Sequence, residues 1–189
     1  MLVQRIQQQF IDSADLAYQC ADVLGPQVDA AIGAVQAVVT GGGKIWVHGL
    51  GVGSSLAQGF VHQLVGTFER ERPGLPAVML PPCAAERALS ALATADDMLL
   101  LVGVNGPSRV EDAQRLVEAA HEREMPVVVL GSLGNGLLTH RLRDTDVNIC
   151  VPHTRAARIA EMHLLVLDCV CDGVDALLLG DAMEPETAE

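Results

Sequence analysis

Two glycine-rich stretches hold the residues best suited to chemistry. The first, Gly49-Leu50-Gly51-Val52-Gly53-Ser54-Ser55, follows a short apolar run and opens a helical pattern. Glycines at such a turn let the backbone approach a ligand closely, and a helix N-terminus offers free N–H groups and a positive dipole to an anion such as phosphate. Gly49, Gly51, Gly53, Ser54 and Ser55 are therefore candidate ligand contacts. The second stretch, Gly103-Val104-Asn105-Gly106-Pro107-Ser108, follows a later apolar run in the same way and adds Asn105 and Ser108. Ser108 is also placed to cap a helix from Arg109 to Glu122, with Glu111 completing a capping box. Loops at the carboxyl ends of neighbouring parallel strands share one crevice, and this spacing suits a small phosphorylated ligand. A turn that merely joins strand to helix would use the same glycines. The dinucleotide fingerprint fails, because its third glycine falls on Ser54 and the next strand ends at Leu80-Pro81 with no carboxylate for a ribose. No nicotinamide or flavin cofactor is expected.

The remaining polar groups read more plainly. Glu161 with His163, or Asp168 with Asp172, could be imagined as metal ligands, but the six histidines are scattered without a His-Glu-x-x-His pair. His62 and His163 read as hydrogen-bonded core or interface residues, and no metal is expected. Asp168, Asp172 and Asp175 sit one turn apart on a helix, so they face solvent or pair across an interface, with Arg155 or Arg158 as partners. Glu69-Arg70-Glu71-Arg72-Pro73 reads as a solvated helix end. The five cysteines are odd in number and lack paired Cys-x-x-Cys spacing, so they read as buried thiols.

The elements that must position these residues follow from hydrophobic periodicity. Val3, Ile6, Phe10, Ala14, Ala17, Cys20 and Leu24 recur at spacings of three and four and predict a helix that ends at Gly25. Pro26 then starts a second helix, Val28 to Val39, closed by Gly41-Gly42-Gly43. The apolar runs Ile45 to Val47, Ala77 to Leu80, Met98 to Val102, Val127 to Leu130 and Val147 to Val151 read as strands, most of them alternating with helices. This predicts an α/β fold with a five-stranded parallel sheet covered on both faces. The last helix, Thr154 to Leu179, is apolar enough to be buried nearly all round, which a domain this size cannot do alone. Both it and the N-terminal helices therefore point to subunit interfaces. The expected organisation is a single domain over 1–180, with N-terminal helices in 1–40, an α/β core in 44–152, the last helix in 154–179 and a disordered tail in 181–189.

With 189 residues, 12 basic and 24 acidic, the chain carries a net charge of −12. Its one lysine and scattered arginines argue against direct DNA binding. No uninterrupted apolar run reaches membrane-spanning length and the N-terminus lacks a signal-peptide core, so a cytoplasmic location is expected.

The run Phe68-Glu69-Arg70-Glu71-Arg72-Pro73-Gly74-Leu75-Pro76-Ala77, the loop after the first strand, and Val151-Pro152 followed by Ala157-Arg158-Ile159-Ala160-Glu161-Met162-His163 resemble the SIS (sugar isomerase) domain family. The resemblance spans nearly the whole chain. Within the family, Cys169-Val170-Cys171-Asp172 is similar to the last helix of the DnaA initiator-associating branch, and the phosphoheptose isomerase branch is equally near. It implies a flavodoxin-like three-layer α/β/α sandwich assembled as a homotetramer through its terminal helices. The isomerases carry Gly-Asn-Gly-Gly-Ser in the first loop, where this chain has Gly49 to Gly53 and only the adjacent Ser54. Their second loop is Ser-Thr-Ser-Gly-Asn-Ser, of which Gly103 to Ser108 retains one serine. The family's His and Glu after the first loop fall on Gly59 and Gln63, and its last-helix Gln and catalytic His on Ala160 and Asp168, which also removes its usual metal ligands, zinc included. The segment Pro81 to Asp97 is shorter than in relatives, where it helps wall the pocket. The resemblance thus implies a non-catalytic homotetramer, a multivalent partner of the replication initiator DnaA. The alternatives are an isomerase of sedoheptulose 7-phosphate, with Asp168, His62 or His163 in new roles, or a sugar-phosphate sensor binding through residues 49–55. Aspartate at Leu164 or Leu167 is expected to break the assembly.

Overall fold

The computed structural model describes residues 1–105, 107–133 and 136–180, less the side chains of Pro107, Ser108, Gly136 and Leu137; the expected disordered tail lies outside the described residues. Five apolar segments form strands: β1 (Ile45–Gly49), β2 (Ala77–Met79), β3 (Met98–Val104), β4 (Val127–Ser132) and β5 (Val147–Val151). They pair in parallel in the order β2-β1-β3-β4-β5. Side chains of a strand point alternately to its two faces. Accordingly, Ile45, Val47, Met98, Leu100 and Val102 join one core. Trp46, Leu99, Leu101 and Val104 join the other. The first core is covered by α1 (Leu2–Thr40), α2 (Gly53–Val65) and α6 (Ala156–Leu179); the second by α3 (Ala85–Leu92), α4 (Pro107–His121) and α5 (Gly136–Thr139). This is the expected three-layer sandwich.

Three local features refine the expected elements. The N-terminal segment is one helix, with Pro26 inside it. Leu16, Cys20, Leu24, Ala31, Val35 and Val38 form one buried stripe through the proline, and that packing outweighs the ~3 kcal/mol a mid-helix proline costs. By length and composition α1 could cross a membrane, but here it lies along α6 and β5. Second, α4 begins at Pro107, where a missing N–H is harmless. Ser108 therefore lies inside the first turn rather than ahead of it, and its hydroxyl is outside the described residues. Third, α6 buries one face within the chain, including Ile159, Met162, His163, Leu167 and Val174, and leaves Leu164, Leu165, Leu177 and Leu179 exposed. The single chain covers that one face, and its apolar remainder is the surface on which the expected subunit contact would lie.

In the run Glu69 to Pro73, Glu69, Glu71 and Pro73 are exposed as a solvated end requires, but Arg72 departs from that reading. The Arg72 side chain is 1% exposed and pairs with Asp175 of α6. It also donates to the carbonyls of Gln63 (3.0 Å), Leu64 (2.8 Å) and Gly66 (3.2 Å), which α2 leaves open at its C-terminus. Arg70 donates to Gly180 O at 2.8 Å. Asp175 is thus paired within the chain, and Arg158 is taken up by Glu161, Gln9 O and Ser13. None of the five cysteines forms a disulfide, but Cys83 and Cys169 are exposed rather than buried.

Candidate functional site

In a 2-1-3-4-5 sheet the chain turns in opposite directions from β1 and β3, so the crevice beyond their carboxyl ends is the ligand position. Both glycine loops lie there. Gly49 pairs with Val102 across the ladder. A Cβ at Gly49 would strike Gly53 O and the Ser54 Cα, and one at Gly53 would strike Val102 O, so the first loop is pressed onto β3. Gly51 and Gly103 adopt φ of +59° and +86°, which favours glycine at each. The register of β3 shifts between Val102 and Val104, a bulge that turns the second loop out of the sheet.

The loop that was expected to cradle an anion is largely closed on itself. Gly53 N–H donates to Leu50 O and Ser54 N–H to Gly51 O, both at 3.0 Å. The Ser54 hydroxyl donates to Gly49 O at 2.7 Å, and the Ser55 hydroxyl to Val52 O at 3.3 Å. Two of the loop's N–H groups and both hydroxyl protons are therefore used internally.

Two cavities flank this loop. One of about 580 Å³ lies on the α3/α4 side and is lined by Gly49, Gly51, Ser54, His48, Cys83 and Arg115, among others. His48 is buried, its Nδ1 has no partner among the described residues, and burial lowers its pKa against the opposing pull of Asp112. The other, about 400 Å³, lies on the α6 side and takes in Gly53, Asn105, Arg109, Ser132, Ala160 and His163. The structure thus divides the expected residues: Gly49, Gly51 and Ser54 face one cavity, Gly53 and Asn105 the other, and Ser55 lines neither. His163 is a buried core histidine as expected, with Nε2 3.0 Å from Gly131 O. His48, Arg109 and Arg115 were not singled out by the sequence; an isolated arginine or a histidine inside a strand carries no local signal.

Away from the crevice, α2 meets α6. Gln63 Nε2 donates to Asp168 Oδ1 at 3.0 Å, and Cys171 Sγ contacts Gln63 Oε1 at 3.6 Å. Burial, with help from Asp168 and Asp175, pushes the Cys171 thiol up to about 12, so it stays protonated. Gly59 and Ala160 offer no donor atoms, and the one carboxylate, Asp168, is tied to an amide. These four positions do not fit a zinc site. Among the described residues, no three His, Cys, Asp or Glu side chains gather as a metal set.

Fold and crevice define a flavodoxin-like α/β sandwich with its ligand position at the β1/β3 switch point. The chain matches no family profile. It is 42% identical to a phosphoheptose isomerase of Methylibium petroleiphilum, over 96% of this chain and 97% of the relative. It is 36% identical to the DnaA initiator-associating protein DiaA of Klebsiella pneumoniae, over 94% and 97%. The solved phosphoheptose isomerase of Francisella tularensis superposes with a TM-score of 0.83 at 30% identity, covering 93% of this chain and 98% of that one. The chain therefore belongs to the SIS-domain family that includes the phosphoheptose isomerases and the DnaA initiator-associating proteins.

Proposed function

We propose that this chain is a non-catalytic SIS-domain homotetramer that gathers several copies of the replication initiator DnaA in the cytoplasm. The observation that carries this reading is the Gln63–Asp168 hydrogen bond. Aldose–ketose isomerisation needs a base to move the proton beside the carbonyl, a contribution worth roughly 10²- to 10⁴-fold in rate. An amide cannot act as that base. The carboxylate opposite it already accepts the amide's proton, and the neighbouring family positions Gly59 and Ala160 carry no polar side chain. What remains is a body with exposed apolar helix faces, suited to assembly, and tethered partners gain local concentration without chemistry. Likeness to an initiator-associating relative supports the choice of partner.

The whole-chain likeness to phosphoheptose isomerases favours a second reading, turnover of sedoheptulose 7-phosphate by an altered set of groups. Both are tested together. Under the first, the purified protein leaves sedoheptulose 7-phosphate unchanged and captures the host's DnaA in a pull-down; turnover at an enzymatic rate, resistant to further purification, overturns it.

A further inference from the structure

The segment joining β2 to α3 carries a nucleophile that neither functional reading uses. Cys83 lies two residues before α3, with its thiol exposed. It borders the space of about 580 Å³ between α3 and α4. The other four thiols are hindered as nucleophiles. Burial raises the pKa of Cys20 and Cys150, burial with the charges of Asp168 and Asp172 raises that of Cys169, and Cys171 reaches about 12. The thiolate is the reactive form, so these four stay protonated and slow.

A second group beside Cys83 points to an occupant. His48 lines the same space at 8% exposure, and neither of its ring nitrogens has a hydrogen-bond partner among the described residues. Burial holds the ring below its ordinary pKa, so it is neutral and carries one donor and one acceptor. The amides of a peptide supply the complement of both. Charges of both signs surround it. Arg87 is exposed and has no partner among the described residues, while Arg115 is held by Glu86 at 2.9 Å and by Asp112. Two acids and two arginines match a zwitterion, where a plain anion or cation would be matched on one side only.

We propose that Cys83 is a site of reversible modification by a small zwitterionic peptide thiol of the glutathione type, with Arg87 and the Glu86–Arg115–Asp112 cluster against its charged ends and His48 facing its amides. The volume is in the range that encloses a small molecule. The step is thiol–disulfide exchange. Cys83 releases its proton to solvent and its sulfur attacks one sulfur of the peptide disulfide. The new S–S bond forms as the old one breaks, and the departing thiolate takes up a proton. Cys83 is oxidised, the departing half is reduced, and the disulfide is the only oxidant needed. The assignment holds whether or not the protein turns over a sugar phosphate.

The test incubates the whole protein with glutathione disulfide, and separately with the neutral 2-hydroxyethyl disulfide, and follows each cysteine by peptide mass mapping. Cys169, the other exposed cysteine, is the internal reference. With glutathione disulfide, Cys83 is expected to react about tenfold or more faster than Cys169, and dithiothreitol is expected to reverse the adduct. Arg87→Gln, an exposed change expected to leave the thermal transition in place, should cut the Cys83 rate toward glutathione disulfide about threefold or more, as loss of a charged contact near the surface does. Its rate toward 2-hydroxyethyl disulfide should stay as in the parent. If Cys83 reacts no faster than Cys169, or if Arg87→Gln slows both disulfides alike or neither, the proposal is overturned.

Discussion

Arg72 shows how much of this fold rests on single polar side chains. Its guanidinium holds the last carbonyls of α2 and pairs with Asp175 on α6, with both side chains 1% exposed. Breaking a buried pair from one side leaves the other charge unsolvated, which costs ~3–5 kcal/mol. Arg72→Met is therefore expected to lower the unfolding free energy read from urea denaturation by about that much at neutral pH. Adding Asp175→Leu should recover part of the loss, but not the part owed to the carbonyls; a double variant no better than the single would contradict the pairing. Asp97 is another buried carboxylate with a clear task. Burial raises its pKa, but donation from Trp46 Nε1 (3.0 Å) and from the N–H groups of Thr94 (3.0 Å) and Lys44 (2.7 Å), with the Lys44 charge, brings it below the ordinary 3.8. A depressed folded-state pKa adds stability above the unfolded value and loses it as pH falls through the folded one. The stability gap between the parent and Asp97→Asn should thus be widest near neutrality and close below pH ~3.8; a gap constant from pH 7 to 3 would refute this. Neither residue announces its role in the sequence. Arg72 sits in a run that alternates in charge as solvated segments do, and its partner is 103 positions away.

Between elements, the α1–α6 contact decides the shape. Gly173 lies where a Cβ would meet Cδ1, Cγ1 and Cγ2 of Ile32, so the two helices approach through a missing side chain. Glycine inside a helix costs about 0.5–1 kcal/mol relative to alanine, yet filling a tight contact against a stiff β-branched residue costs about 1–3 kcal/mol. Gly173→Ala should therefore destabilise in urea denaturation, and Ile32→Val, which removes Cδ1, should restore part of the loss when combined with it. A Gly173→Ala protein more stable than its parent would show that the helices can part at no cost. The same contact explains what could be read in advance at this scale. The strands were legible because a parallel strand buried on both faces is a continuous apolar run, as Met98 to Val102 is. The join at Gly25-Pro26 was misread because local propensity favours a break there, while one buried stripe from Leu16 to Val38 holds the helix through it. The two glycine loops were legible as turns at the crevice, since glycines at strand ends mark close approach. The inward bonding of the Ser54 and Ser55 hydroxyls was not, because residue spacing says nothing about where a hydroxyl donates.

At the scale of the whole molecule the open faces carry the argument. Phe10, Tyr18 and Val23 on α1, and Leu164 and Leu165 on α6, leave large apolar side chains in water, 46–81% exposed. An apolar groove of about 300 Å³ runs between the same helices, past Cys20, Leu24, Ile32 and Leu165. Large exposed apolar patches mark interaction sites. This refines the expectation for Leu164 and Leu167, which prove to be different tests. Leu167 is 1% exposed and belongs to the core beneath the sheet, so Leu167→Asp buries an unpaired charge in the single chain and should fail as a fold, seen as a lost or sharply lowered thermal transition. Leu164 is 47% exposed, so Leu164→Asp leaves the single chain's core alone and places its charge only where another subunit would sit. If copies of this chain meet through α6, Leu164→Asp should retain the parent's circular dichroism while sedimentation shows smaller species than the parent forms. Unchanged sedimentation at low micromolar concentration would place the assembly surface elsewhere, on the α1 face centred on Phe10 and Tyr18, where Phe10→Asp repeats the test.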